Sequence, residues 1–124
     1  EIFKIQHVTY SRNKITENRS TPDFLFPDIK LYHDSAFPSA NLTMLGVKST
    51  CKDRWRQVLS EAKRIEVKHL FTLEPSISVN QTAEMQANRL QLVLPKRLHR
   101  TYKPSQQDWL MDLKSFVGIV KERQ

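Results

Sequence analysis

The sequence predicts an α/β fold, a sheet with helices packed against it, and three observations carry that expectation. Short apolar runs rich in β-formers, "DFLF", "LTMLGVKST", "KHLFTL" and "LQLVLP", alternate with stretches whose apolar residues recur at helical spacing. Helices that lie between apolar strands imply crossovers packed on one sheet. At 124 residues, with 39% apolar content, two Gly and six Pro, the composition is that of a single ordered domain, 1–124, with no repeat, low-complexity tract or linker to divide it.

Each element has its own signal. "FKIQHVTY", Phe3 to Tyr10, carries Ile5 and Val8 among β-formers and reads as a strand, followed by the polar loop "SRNKITENRS". "DFLF" is a short strand closed by Pro27, "YHDSAFPSAN" a loop, and Leu42 to Thr50 a strand. The period then changes. Trp55, Val58, Leu59, Ala62 and Ile65 recur at helical spacing, and Thr50 with Asp53 offers a capping-box-like start, so a helix is expected through Ile65. "KHLFTL" is a strand, "NQTAEMQANR" a helix, and "LQLVLP" a strand ended by Pro95. For the last helix, Ser105 is the expected N-cap with Asp108 at the third helical position, ahead of a stripe of Trp109, Leu110, Leu113, Phe116, Val117 and Val120.

Charge and cysteine content bound the function. Lys and Arg number 20 against 13 Asp and Glu, a net +7 that suits a polyanionic partner, although the charges are scattered rather than run together. A single cysteine, Cys51, permits no internal disulfide and fits a reducing, cytoplasmic setting; without an activating basic arrangement it reads as a packing residue. No apolar run is long enough to span a bilayer, and the N-terminal stretch lacks a signal-peptide layout. The chain begins at Glu1 rather than Met, as a processed product or an excised fragment does. His7, His69 and His99 have no metal-ligand spacing, and His69 reads as a satisfied strand histidine. Lys96, Arg97, His99, Arg100 and Lys103 form a basic loop that meets DNA backbone or solvent.

The stretch "TPDFLFPDIK" sets two Pro-Asp pairs around one short strand. Burying an unpaired carboxylate is expensive, so each Asp is either a solvated turn former or faces something positive. The next strand ends in Lys48, and Lys52, Asp53, Arg54, Arg56 and Glu61 follow. An acid near one strand, a Lys on its neighbour and a Glu on the adjoining helix can converge as a metal-dependent phosphodiesterase site. Two carboxylates would hold Mg²⁺, a hard cation that keeps several waters, and a Lys would steady the attacking water or the pentavalent centre. Asp23 and Asp28 both lie within a loop and a strand of Lys48, and residue chemistry alone leaves the choice between them open.

At "PDFLFP", "YHD", "LTMLGVKSTCKDRWRQVLSEA" and "KHLFTLEP" the chain resembles the PD-(D/E)XK nucleases, and within them the EcoRII restriction endonuclease family. The short motif is weak, whereas the stretch Leu42–Ala62 is specific, and together the segments cover most of the chain from Pro22 onward. The resemblance implies a restriction-endonuclease-like central mixed sheet flanked by helices, with Asp23 as the motif aspartate and Asp28 as a turn or strand-exit residue. Gly46 stands where the general motif has an acid two residues before its Lys. EcoRII-like enzymes are similar in this departure and take the second carboxylate from the following helix, which implies Glu61, with Asp23 and Glu61 as metal ligands and Lys48 as the third catalytic residue. On a helix, Arg54, Gln57 and Glu61 would share one face.

In that family the segment matching "KDRWR" reads C·G pairs in the major groove, which implies Lys52, Asp53 and Arg54 as base readers. Read as residues alone, it is a charged, solvated helix face with Asp53 as a cap. Arg56, about 200° around a helix from Arg54, would meet phosphate or solvent. Tyr32 in "YHD" reads as an exposed loop residue able to contact a phosphate. The resemblance further implies a type II restriction endonuclease that cuts duplex DNA at a CCWGG-like pseudopalindrome as a homodimer, this chain being the C-terminal core without the upstream effector domain. Two other readings are a repair or junction nuclease of the same superfamily, and a DNA-binding module that has lost catalysis, with Lys48 and Glu61 as an ion pair.

Overall fold

The structure, a computed structural model, describes residues 9–12, 22–51 and 54–124. Its centre is a five-stranded mixed sheet in the order β1-β2-β3-β4-β5. The strands are β1 (Ser11–Arg12), β2 (Phe24–Phe26), β3 (Thr43–Lys48), β4 (Lys68–Thr72) and β5 (Leu90–Val93). β1, β2 and β3 run antiparallel to one another, and β3, β4 and β5 run parallel. β3 is therefore the strand at which direction changes. Its antiparallel neighbour brings the start of β2 alongside its C-terminal half: Phe24 faces Leu45, while on the other side Lys48 faces Thr72.

Side-chain alternation splits the core into two layers, as a sheet covered on both faces requires. One layer gathers Leu25, Met44, Leu70 and Leu92 from the strands with Trp55, Val58 and Met85 from the crossovers. The other packs Phe26, Leu45 and Val93 against Phe116, Val117 and Val120. The helices are α1 (Ile29–His33), α2 (Val79–Ala87), α3 (Lys96–His99), α4 (Pro104–Gln107) and α5 (Leu113–Arg123), with 3₁₀ turns at Ser39–Asn41 and Trp55–Ser60.

Four expectations change. The polar loop expected from Ser11 begins with β1, Ser11–Arg12, whereas the strand expected over Phe3–Tyr10 lies mostly outside the described residues. The first two residues of the expected loop Tyr32–Asn41 instead end α1, Ile29–His33, which forms because Asp28 accepts the Leu31 N–H at 2.8 Å and so caps a helical turn. The helix expected through Ile65 is a 3₁₀ turn that stops at Ser60. Trp55 and Val58, three apart, share a face as well in a 3₁₀ turn as in an α-helix, so the apolar spacing does not tell them apart. The last helix is broken. Met111 bridges Val93 on the edge of β5, donating its N–H to the Leu92 carbonyl and accepting the Leu94 N–H, and the long helix starts only after Asp112, which caps Ser115 at 2.8 Å. An open strand edge outcompetes helix continuity over these residues.

Candidate active site

The two Pro-Asp pairs have separate fates. Asp28 is spent on capping α1. Asp23 lies just before β2, one step beyond the last β2–β3 pair, and its Oδ2 accepts the Val47 N–H at 2.7 Å. The carboxylate takes the ladder donor that a longer β2 would have used, which fixes Asp23 beside the end of β3.

Lys48 closes β3 and shares a face with Met44 and Gly46, the face on which the Trp55–Ser60 turn packs. A Cβ on Gly46 would stand 3.3 Å from Val58 Cγ2 and 3.5 Å from Leu70 Cδ1. An acid at position 46 would thus push into apolar core, and the missing motif acid has a steric reason. Glu61 follows directly on the same turn, its N–H bonded to the Val58 carbonyl at 3.1 Å in extended backbone. The face shared by Arg54, Gln57 and Glu61 on an α-helix does not exist; Glu61 reaches the site as the residue that ends the 3₁₀ turn.

Electrostatics tie these groups together. Burial pushes the Glu61 carboxyl up to about 7, the neighbouring Asp23 charge pushes the same way, and Lys48 and Lys68 oppose it. Glu61 Oε1 is buried and has no hydrogen-bond partner among the described residues. A buried, unsatisfied carboxylate oxygen beside a second carboxylate suits a hard cation. Among the described residues no group of three or more His, Cys, Asp and Glu is placed to hold a metal ion, which leaves the two carboxylates as the protein ligands. Two carboxylates with open positions fit Mg²⁺, which keeps water and phosphate oxygens in its shell.

The other expected site residues fall differently. Lys52 and Asp53 lie outside the described residues. Arg54 is exposed at the start of the 3₁₀ turn. Arg56 is already engaged: its guanidinium lies 4.4 Å from the Trp55 ring and pairs with Glu84 of α2, both side chains exposed. Tyr32 is corrected. It is 1% exposed, and its hydroxyl accepts the Arg64 N–H at 3.1 Å, so it supports the core and has no face for a phosphate. His69 is also not the satisfied histidine expected: Nδ1 is buried without a partner among the described residues, and burial, with Arg123 adding, pushes the imidazole down to about 4. Cys51 is buried, and burial raises its thiol to about 11, in keeping with packing rather than nucleophilic work. In the basic stretch Lys96, Arg97, Arg100 and Lys103 are exposed, while His99 Nε2 lies 3.0 Å from the Leu94 carbonyl. The reading of residues passed over Lys68. A Lys opening a strand is ordinarily solvated, and nothing in "KHLFTL" signals that this one is buried next to Glu61.

Comparison with known proteins follows the same lines. A family model described as EcoRII C terminal matches residues 1–117. The type II restriction enzyme EcoRII of Escherichia coli is 47% identical over 109 residues, which is 88% of this chain and 27% of that protein. The chain thus spans about a quarter of the length of that relative. Two solved structures of metal-depleted Ecl18kI, one in complex with uncleaved, modified DNA and one with uncleaved DNA, superpose with TM-scores of 0.78 and 0.77 at 17% identity, each over 94% of this chain and 39% of theirs. At that identity the likeness concerns the fold, which is restriction-endonuclease-like.

Proposed function

The chain belongs to the EcoRII C-terminal family, and from that premise we propose that it is the catalytic core of a type II restriction endonuclease hydrolysing duplex DNA at a CCWGG-like site. The observation that carries the proposal is the convergence on Glu61: a buried carboxylate oxygen without a partner among the described residues, next to Asp23 and Lys48. Asp23 and Glu61 would hold Mg²⁺, which when bound stabilises charge on phosphoryl oxygens and lowers the pKa of a water. Asp23 is held in register by the Val47 N–H. Lys48, rooted in the central strand, offers a fixed positive charge where charge develops in the transition state. Glu61 must be ionised to take a cation, and an uncharged site would hold its proton up to about pH 7.

Recognition is assigned to Lys52, Asp53 and Arg54, which as donors and acceptor match guanine O6 and N7 and cytosine N4. Cutting both strands of a pseudopalindrome calls for two copies, so the working unit is a homodimer. Titrating Mg²⁺ while following cleavage of plasmid and of defined duplexes tests the proposal. Metal-dependent cutting at CCWGG supports it; metal-dependent cutting without sequence preference points to another nuclease of this fold; DNA binding without any cutting points to a module that has lost catalysis.

A further inference from the structure

Lys68 opens β4 and is only 6% exposed, a burial an ammonium tolerates when acceptors surround it. Its Nζ donates to the Ala62 carbonyl at 2.7 Å and to the Ile65 carbonyl. Both carbonyls belong to the turn that immediately follows Glu61. Ala62 is fully buried with φ of 49°, a left-handed conformation that is unfavourable for a residue with a Cβ and persists where the surroundings over-determine it. The same carbonyl also accepts the Ile65 N–H at 2.9 Å, so Lys68 is a second anchor on one oxygen. On the other side, the Glu61 N–H is fixed to Val58 at 3.1 Å. The Glu61 carboxylate is therefore suspended between a 3₁₀ turn packed under Gly46 and an ammonium rooted in the sheet.

We propose, on the metal-site reading above, that Lys68 is a positioning residue: its head group clamps the Ala62–Ile65 turn and so holds Glu61 at the end of β3 for the cation. A space-filling role would need only the aliphatic stem, which Met reproduces; the clamp needs donors. Residues that orient a metal ligand typically matter about 10–100-fold in metal affinity.

The test uses Mn²⁺ alone as the probe, on the whole chain, with wild type, Lys68→Met and Lys68→Arg. Mn²⁺ affinity is read by electron paramagnetic resonance and the turn by amide ¹H–¹⁵N shifts. The expected result is a folded Lys68→Met protein whose Mn²⁺ affinity falls about tenfold or more, with amides of 61–65 displaced and that of Val47 unmoved, and recovery of most of the affinity in Lys68→Arg. Wild-type Mn²⁺ affinity in Lys68→Met would overturn the proposal, as would a loss that Lys68→Arg does not restore. Should Lys68→Met fail to fold, Lys68→Leu, which likewise lacks donors, is measured in its place against the same criteria. Wild-type protein that binds no Mn²⁺ would overturn the metal reading itself, and the amide shifts of the variants would still report separately whether Lys68 holds the turn.

Discussion

Asp23 and Asp28 are the same residue after the same residue, five positions apart, yet one caps the start of a helix and the other faces a second carboxylate. Asp28 satisfies an orphan N–H at the start of α1, a local need met within three residues. Asp23 satisfies Val47 across the sheet, and that long-range bond puts it beside Glu61. A dipeptide does not decide a role; the donor left unpaired nearby does.

The largest expected effect comes from removing the site side of this comparison. Asp23→Ala or Lys48→Ala should lower the cleavage rate by at least about 10²-fold while leaving sequence-specific DNA binding largely intact, since these groups act on charge in the transition state. Single-turnover cleavage alongside binding titrations checks it, and near-wild-type rates in either variant would break the assignment.

Glu61 sharpens the comparison through pH. Its folded-state pKa lies above the ordinary carboxylate range, so the folded chain binds the proton more tightly than the unfolded one. That contribution to stability is fully present below the unfolded pKa and is lost as pH rises to about 7. Glu61→Gln should therefore abolish cleavage yet raise stability at pH 8 by about 1–2 kcal/mol, with little gain at pH 4. Denaturant melts at both pH values measure this; a destabilised Glu61→Gln at pH 8 would mean that the carboxylate is well satisfied without a metal.

Asp28→Ala removes only a cap. It should cost about 1 kcal/mol of stability and leave cleavage unchanged at a temperature where the variant is folded. The smallest effect belongs to Arg56. Its exposed pair with Glu84 is worth under about 1 kcal/mol, and because the guanidinium is already engaged, Arg56→Ala should change DNA affinity far less than Arg54→Ala, which removes a proposed guanine donor worth about 1–3 kcal/mol at one base position. Titrations against matched and single-substituted duplexes at two salt concentrations separate the two.

The sheet was legible because its strands announce themselves: β2, β3, β4 and β5 fall inside the apolar runs that predict them. The helix between β4 and β5 was equally plain in "NQTAEMQANR", but the connection after β3 and the start of the last helix were not. A three-residue apolar spacing serves a 3₁₀ turn and an α-helix alike, which hid the early end at Ser60. Trp109 and Leu110 continue an amphipathic stripe in sequence, but the open edge of β5 claims Met111 and breaks it. At the site, the residues brought together include Asp23, Lys48 and Glu61, and Gly46 explains by contact with Val58 why no acid precedes the Lys. Tyr32 was misread and Lys68 passed over for one reason: burial of a polar tip depends on partners that only the folded chain brings to it, Arg64 for one and the Ala62 and Ile65 carbonyls for the other.

The claim that Asp23 and not its twin completes the metal site is tested most directly by Mn²⁺ titration of wild type, Asp23→Asn and Asp28→Asn by isothermal calorimetry. The account predicts affinity at least about tenfold weaker in Asp23→Asn and unchanged in Asp28→Asn. Equal affinity in all three proteins, or a loss confined to Asp28→Asn, would contradict it.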